Sequence, residues 1–215
     1  VKDTVPLRFN ITSSSVPENY VDASVINIDS ALASHIIPSP ILKDSLTMDQ
    51  YLNTAPIFDF STLSGSSLTQ DNICVKIGRT TGRSPLRPDS IYTDETEGVI
   101  IDKDYLVNVS YCGSSSQAEY TASFLHTIKV NFKNYDSSAN ANWKFSTSGD
   151  SGSICYIWSI ANERWETLGL VFAGEDSSSN PFSVICRMDY ILKELNVGEG
   201  WTNDSTYSLA DGGTL

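Results

Sequence analysis

Short apolar runs separated by turn-forming residues are the feature of this 215-residue sequence that most constrains its fold. Val, Ile, Tyr, Phe and Trp dominate the runs, and Ser, Gly, Asn and Asp lie between them. The first group favours strands and the second favours turns. The predicted strands are 7–12, 23–28, 73–78, 98–101, 105–112, 120–132, 153–159, 165–174 and 182–187. Many short strands at this spacing predict an all-β sandwich or barrel.

One short helix is predicted near the C-terminus, over residues 189–195. Ile191, Leu192 and Leu195 fall on one face of it, and Gly198 follows as a stop signal. Residues 196–215 carry few apolar groups and predict a flexible tail. Hydrophobic residues make up 40% of the chain and charged residues 19%, which is typical of a globular protein.

Charge and cysteine spacing exclude several kinds of partner. The formal net charge is −12, which argues against a nucleic-acid partner because phosphates would be repelled. No apolar run approaches the roughly 20 residues that a membrane helix needs, so no membrane partner is expected. Cys74, Cys112, Cys155 and Cys186 stand apart without CxxC spacing, so no zinc or other metal is expected. One or two disulfides, or four buried thiols, both remain open.

The segment 147–153, Thr-Ser-Gly-Asp-Ser-Gly-Ser, carries the clearest chemical signal. A serine hydroxyl becomes a nucleophile when a tight turn presents it and a base removes its proton. Gly149 and Gly152 allow such a turn, and the N–H groups of Gly149 and Ser151 can then form an oxyanion hole. The segment predicts a catalytic Ser151. A plain Ser/Gly/Asp turn is the alternative.

The same residues resemble the nucleophile motif of trypsin-like serine proteases. Four further stretches are similar to that family: an apolar strand at 154–158, the strand beside bound substrate at 169–174, the pocket-closing strand at 180–185 and the C-terminal helix at 189–195. Residues 74–82 resemble the first strand of its second barrel, in the Lys-x-Gly-Arg-Thr-Thr-Gly form typical of fungal members. The resemblance implies a chymotrypsin-like double antiparallel β-barrel with an incomplete first barrel and a short C-terminal helix.

The resemblance assigns the aspartate that orients the catalytic histidine to Asp22. This residue opens Asp-Ala-Ser-Val-Ile-Asn-Ile, and an aspartate before an apolar strand is the family's form. Asp29 is the rival, although the residues after it are less typical of a strand. The family's chain order is His, Asp, Ser. The histidines of this chain, His35 and His126, both follow Asp22 and are expected to be structural.

The catalytic histidine is therefore expected from a missing N-terminal segment ahead of Val1, which makes the chain an N-terminally truncated, inactive fragment. Alternatively, processing leaves the histidine on a separate chain, or the protein is a pseudoprotease. The expected function is that of a serine-type endopeptidase, which hydrolyses peptide bonds of peptide or protein substrates through an acyl-enzyme without a cofactor. The competing hypothesis is a catalytically dead module that binds peptides or protein partners through the same groove.

The resemblance also implies a substrate pocket. Its residues are Phe145, Ser146, Phe172, Ala173, Gly174 and Phe182. No acidic side chain stands at the floor, at Phe145 and Ser146, so a preference for Arg or Lys is not expected. Val171 aligns with the histidine of glutamate-specific relatives, which argues against acidic substrates. Phe182 replaces a glycine and predicts a shallow pocket for small or medium apolar side chains, unless Phe145 and Phe182 are ordinary core aromatics.

The predicted domain organisation follows from the same comparison. Residues 1–45 are assigned to the end of the first barrel, 46–72 to a connection, 73–197 to the second barrel with its helix, and 198–215 to the tail. Family members often join second-barrel strands by a disulfide near Cys74 and Cys155. In this sequence, Cys155 is displaced by about two residues, so the pair and free buried thiols both stay open.

Overall fold

The computed structural model describes residues 3–4, 7, 18–25, 56–60, 73–76, 78–81, 96–111, 120–132, 144–159, 162–175 and 181–195. Within these ranges the protein is mainly β-sheet. The strands are β1 (Asp3–Thr4), β2 (Glu18–Asn19), β3 (Ser24–Val25), β4 (Ile73–Lys76), β5 (Thr96–Tyr111), β6 (Tyr120–Phe132), β7 (Ile154–Ser159), β8 (Arg164–Glu175) and β9 (Phe182–Arg187). The helix α1 is Met188–Glu194, within one residue of its predicted position.

Six antiparallel strands close into a ring in the order β6–β5–β4–β7–β8–β9, and β9 pairs again with β6. Closure gives each of these strands a neighbour on both sides over part of its length. The predicted all-β class is confirmed. Of the predicted first-barrel residues 1–45, the structure describes 3–4, 7 and 18–25, so the double barrel stays a prediction.

All six strands contribute apolar side chains to one buried core. From each strand, alternate residues point inward, as the two-residue period of a strand requires. The buried core residues are Phe58, Cys74, Ile100, Ile128, Val130, Phe132, Phe145, Cys155, Ile157, Leu168, Val171 and Ile185. Gly98 lies where Phe145 and Val130 leave no room for a Cβ. The strands are thus fixed to one another by packing as well as by hydrogen bonds.

Strand β5 is longer than the sequence predicted. The sequence predicts separate strands at 98–101 and 105–112, and the residues between them, Asp102, Lys103 and Asp104, are poor strand formers. The structure instead makes one strand from Thr96 to Tyr111, and its register against β6 shifts at Asp102 and Tyr105. The backbone N–H of Asp104 donates to Asp102 Oδ1 at 2.9 Å. This local bond lets the charged residues stay within an irregular strand.

A second apolar cluster lies on the outside of the ring, where α1 covers β8 and β9. Its buried residues are Val21, Cys186, Met188, Ile191 and Leu195. Val21 shows that the segment 18–25 is packed against this face. β2 pairs in parallel with β6, and Asn19 donates its side-chain N–H to the Ser123 carbonyl at 3.0 Å. The segment that contains Asp22 is therefore docked onto the outer surface of the ring.

Residues 56–60 are attached to β8 just beyond the end of β9. The Phe58 N–H donates to the Thr167 carbonyl at 3.0 Å, and the Thr167 N–H donates to the Pro56 carbonyl at 2.6 Å. Arg187 lies over the rings of Phe60 and Tyr190, at 4.0 and 4.7 Å from their centroids. These contacts tie part of the predicted connection to the ring and to α1.

The cysteines that the structure describes, Cys74, Cys155 and Cys186, are free and buried. Cys74 pairs with Ile157 and Cys155 pairs with Lys76, so the two thiols are diagonal neighbours in the sheet. Diagonal Cα atoms lie roughly 7–8 Å apart. A disulfide usually spans roughly 4.4–6.8 Å. The Cys74–Cys155 bond is therefore not formed, and Cys112 lies outside the described residues.

Candidate functional site

The segment 147–153 forms a tight turn at the surface. The Asp150 N–H donates to the Thr147 carbonyl, and the Ser153 N–H donates to the Asp150 carbonyl, both at 3.0 Å. Gly149 and Gly152 have φ angles of 97° and 86°, in a region that side chains disfavour. The turn leaves Ser151 exposed to solvent while Asp150 beside it is fully buried.

Two backbone amides of this turn are available to a ligand. The Asp150 N–H is occupied by the Thr147 carbonyl. Among the residues that the structure describes, the N–H groups of Gly149 and Ser151 on either side of it have no acceptor. Both residues are exposed. This alternation leaves two donors free to bind negative charge beside the Ser151 hydroxyl, which is the arrangement that an oxyanion hole requires.

The buried Asp150 carboxylate anchors the turn from below. Its Oδ1 accepts hydrogen bonds from the backbone N–H groups of Thr80 (2.7 Å) and Thr81 (3.2 Å). Its Oδ2 accepts from the Thr81 hydroxyl (2.8 Å), the Thr147 N–H (3.1 Å) and Lys76 Nζ (3.3 Å). Five donors on one carboxylate fix the position of the residue immediately before Ser151.

Lys76 and Asp150 form an ion pair whose side chains are both fully buried. Burial alone would raise the pKa of Asp150, but the bond from Thr80 and the charge of Lys76 outweigh it and hold this pKa below its ordinary value. Burial lowers the pKa of Lys76, although the charge of Asp150 partly opposes the effect. The carboxylate is thus the favoured form of Asp150, and the pair is desolvated.

The sequence Lys76–Thr81 acts as a binding loop for this carboxylate. It supplies the lysine, two backbone amides and one hydroxyl of the five donors described above. A Cβ at Gly78 would overlap the Asp150 carboxylate, so glycine is required by the close approach. The Thr80 hydroxyl also donates to the Ser148 carbonyl at 3.0 Å. The Lys-x-Gly-Arg-Thr-Thr pattern therefore has a structural reason in the turn that presents Ser151.

Strand β8 holds the other side of the turn. The Gly152 N–H donates to the Val171 carbonyl at 2.7 Å, and the Val171 N–H donates to the Ser153 carbonyl at 3.0 Å. The pairing of β8 with β9 shifts register between Val171 and Ala173, so Phe172 is an extra residue at a bulge. Bulges of this kind commonly lie next to binding sites because they redirect side chains.

Asp22 lies at the surface, two residues before the start of β3, whereas the resemblance implies a buried carboxylate at this position. Its Oδ2 accepts a hydrogen bond from the Tyr111 hydroxyl at 2.8 Å. Its backbone N–H lies 3.5 Å from Cys186 Sγ, within the hydrogen-bond range for sulfur. Asp22 itself is exposed.

The Ser151 turn and Asp22 are attached to neighbouring positions of β8 and β9. Cys186, which contacts the Asp22 N–H, is paired with Leu170. The next residue of β8, Val171, hydrogen-bonds to the turn through both its N–H and its C=O. The fold therefore brings the two predicted catalytic residues, which are 129 positions apart in sequence, to the same region of the ring.

The predicted pocket residues occupy different environments. Phe145 is buried in the core of the ring, which agrees with the alternative that it is a core aromatic. The Ser146 and Ser183 hydroxyls hydrogen-bond at 2.5 Å. Phe172 packs against Phe124 with ring centroids 4.9 Å apart. Ala173 is partly buried and Gly174 is exposed.

Phe182 lies on the outer side of β9 and is only partly buried. Tyr105 contacts it edge-on with centroids 5.9 Å apart, and Lys129 Nζ lies 4.0 Å from its ring centroid. The neighbouring Ser183 points the opposite way and is buried. Phe182 is therefore not part of the core of the ring.

His126 has its ring nitrogen Nδ1 against Asp104, and its ring stacks with Tyr20 and Tyr190. His126 lies on β6, whereas the Ser151 turn is bonded to β8. Because β9 lies between these two strands, the backbones of β6 and β8 are roughly 9–10 Å apart. These contacts agree with the predicted structural role. His35 and Asp29, the rival of Asp22, lie outside the described residues.

Comparison of the sequence with models of protein families and with curated proteins finds no match. In the described part of the chain, no group of three or more His, Cys, Asp or Glu side chains is placed to hold a metal ion. Helical structure in that part does not reach the length and apolar character needed to cross a membrane.

Several residues of the site were not identified from the sequence. Lys76, Thr80 and Thr81 lie in a motif that the sequence did mark, but their contact with Asp150 depends on pairing between β4 and β7. Tyr111 was assigned only to a strand. The sequence shows a lysine in a Lys-x-Gly-Arg-Thr-Thr segment and an aspartate in a Gly-Asp-Ser-Gly motif. An ion pair between these two residues is the link that could have connected Lys76, Thr80 and Thr81 to the Ser151 turn.

Proposed function

We propose that this protein is a serine-type endopeptidase with the chymotrypsin-like double-barrel fold, and that Ser151 is its nucleophile. The observation that carries the proposal is the turn itself. The exposed Ser151 lies beside two N–H groups, its own and that of Gly149, which have no acceptor in the described residues. Asp150, which lies between these two residues, is fixed by a buried carboxylate with five donors. A chance Ser/Gly turn would need none of this buried support.

The proposed chemistry begins with attack of Ser151 Oγ on the carbonyl carbon of a peptide bond. A histidine accepts the hydroxyl proton, and Asp22 stabilises the imidazolium that results. The N–H groups of Gly149 and Ser151 bind the oxyanion of the tetrahedral intermediate. Such preorganised donors contribute roughly 2.7–4 kcal/mol each. The protonated histidine then gives its proton to the leaving amine, and water hydrolyses the acyl-enzyme.

The histidine is proposed to come from a segment ahead of Val1, because the family's chain order places it before the aspartate and because Asp104, Tyr20 and Tyr190 already engage the His126 ring. The proposed function therefore requires a segment that carries this histidine. A substrate side chain of small or medium apolar character is proposed for the pocket beside Phe172, Ala173 and Gly174. Ser146 and Ser183, whose hydroxyls hydrogen-bond to each other, offer no charge for a basic or acidic side chain.

Hydrolysis of internally quenched peptides tests this function. The protein expressed from its complete gene should cleave peptides with Ala, Val or Leu before the scissile bond faster than peptides with Arg or Glu. Ser151→Ala should abolish cleavage, and Ser153→Ala is the matched control two residues away. Equal cleavage by Ser151→Ala would show that Ser151 is not the nucleophile. Tight peptide binding without any cleavage would identify the protein as a peptide-binding module.

A further inference from the structure

The carboxylate of Asp22 is held by a residue from a distant part of the chain. Tyr111 is 89 residues away in sequence, and its hydroxyl donates to Asp22 Oδ2 at 2.8 Å. Among the residues that the structure describes, no other side chain bonds this carboxylate. The second oxygen, Oδ1, is thus left for another partner.

Tyr111 reaches Asp22 because β5, paired with β6, extends well beyond its pairing with β4. β4 pairs with β5 only from Thr96 to Val99, whereas β5 continues to Tyr111, opposite Tyr120. The tyrosine is the last residue of this extension. Its side chain spans the gap from the strand end to the docked segment 18–25.

The part of β8 nearest to Asp22 offers no equivalent donor. Phe172 packs beside the outer apolar cluster that contains Val21 and Cys186. A phenyl ring cannot donate a hydrogen bond to a carboxylate. The bulge at Phe172 therefore supplies packing for the segment 18–25, and the polar contact comes from Tyr111.

The Tyr111 hydroxyl keeps its proton at neutral pH, where a histidine could act as the base. Burial raises the pKa of Tyr111, and the hydrogen bond to Asp22 together with the charge of Asp22 raises it further. The phenol is thus a donor, and it can donate to a carboxylate without carrying charge itself.

We propose that Tyr111 is a positioning residue for the catalytic aspartate. Its hydroxyl holds Asp22 Oδ2 so that Oδ1 faces the incoming histidine. The role rests on the proposed endopeptidase function and adds the extended end of β5 to its machinery. Loss of the hydroxyl leaves the nucleophile and the oxyanion donors in place, so it should affect turnover rather than substrate binding.

Kinetics of four variants of the complete gene product test the role: Tyr111→Phe, Asp22→Asn, the double variant and Tyr120→Phe as the matched control on the facing strand. Tyr111→Phe should lower kcat about tenfold to 100-fold with little change in KM, as loss of one hydrogen bond to a charged group predicts. In the Asp22→Asn background, the same substitution should have almost no further effect. Tyr120→Phe should match the wild type.

A titration of the 215-residue chain, which needs no catalysis, tests the contact itself. Absorbance at alkaline pH, taken as the difference from Tyr111→Phe, should show Tyr111 ionising above the ordinary tyrosine range. Asp22→Asn should lower that pKa.

The outcomes separate the two proposals. Hydrolysis that needs Ser151 but is equal in Tyr111→Phe and wild type overturns the role of Tyr111 and leaves the function standing. An unshifted Tyr111 titration overturns the contact. If the contact is present but no hydrolysis depends on Ser151, the endopeptidase function fails, and the positioning role fails with it.

Discussion

The Ser151 turn and the Asp22 segment, the two halves of the candidate site, are held in opposite ways. The turn is anchored from inside the ring by a fully buried carboxylate with five donors. Asp22 is exposed and lies in a segment that is docked on the outer surface, where one phenol and one thiol contact it. The nucleophile is thus part of the core structure of the ring, whereas the aspartate depends on how a separate segment is seated.

Because of this difference, we expect one set of residues to determine the stability of the fold and another set to determine whether the site is assembled. Substitutions beneath the turn should unfold the ring and remove Ser151 reactivity together. Substitutions around Asp22 should change reactivity while the ring stays folded. The predictions below test that division, beginning with the largest expected effect.

Asp150→Ala should destabilise the protein by about 3–5 kcal/mol, because it leaves the buried Lys76 charge without its partner. Asp22→Ala is the comparison, and it should cost less than about 1 kcal/mol because the residue is exposed. Urea denaturation followed by tryptophan fluorescence measures both. Equal losses for the two variants would contradict the division between the halves of the site.

Gly78→Ala should destabilise the protein by about 1–3 kcal/mol, because the new Cβ overlaps the Asp150 carboxylate. In the Asp150→Ala background the same change should cost much less, since most of the overlap is removed. A double-mutant cycle of unfolding free energies measures this coupling. Additive losses would show that Gly78 is needed for some other reason.

Acid should weaken the anchor of the turn. The folded pKa of Asp150 lies below its unfolded value of 3.8, so its stabilisation is present above that pH and is lost as the pH falls through the folded pKa. The unfolding free energy should therefore decrease as the pH is lowered below about 4. In Asp150→Asn, this part of the pH dependence should be absent. An unchanged acid limb in that variant would assign the effect to other carboxylates.

The last prediction concerns the reactivity of the buried thiols, which have no role in the proposed chemistry. Burial raises the pKa of Cys155 and Cys186 to about 12 and raises that of Cys74 well above its ordinary value. In a Cys112→Ser background, the native protein should not react with Ellman's reagent at pH 8, and three thiols should react after unfolding. Fast reaction of one thiol, located on Cys186 by peptide mapping, would show that the outer face of the ring opens where the Asp22 segment packs.

The sequence predicted the local features of the fold well. The strands 120–132 and 182–187, the helix and the position of Asp22 before a strand all have signals within a few residues. The length of β5 was missed because Asp102, Lys103 and Asp104 suggest a turn, and only pairing with β6 keeps them in a strand. The resemblance implies that Phe145 lines the pocket, but its packing beside Gly98 and Val130 is a property of the closed ring.

The candidate site divides in the same way. Gly149, Gly152 and Ser151 were identified because the turn is local and its glycine requirement is visible in the sequence. The partners of Asp22 and the partners of Asp150 other than Thr147 were not, because each of these contacts joins segments more than 60 residues apart. Such contacts depend on strand order, which one sequence does not specify.

Labelling with a fluorophosphonate tests the central claim, which is that the turn presents Ser151 as a nucleophile. The complete gene product should form one adduct, and tryptic peptide mass spectrometry should locate it on Ser151. Asp22→Asn should slow labelling while the protein remains folded, and Ser151→Ala should prevent it. An adduct on another residue, or labelling of Ser151→Ala at the wild-type rate, would contradict the proposed site.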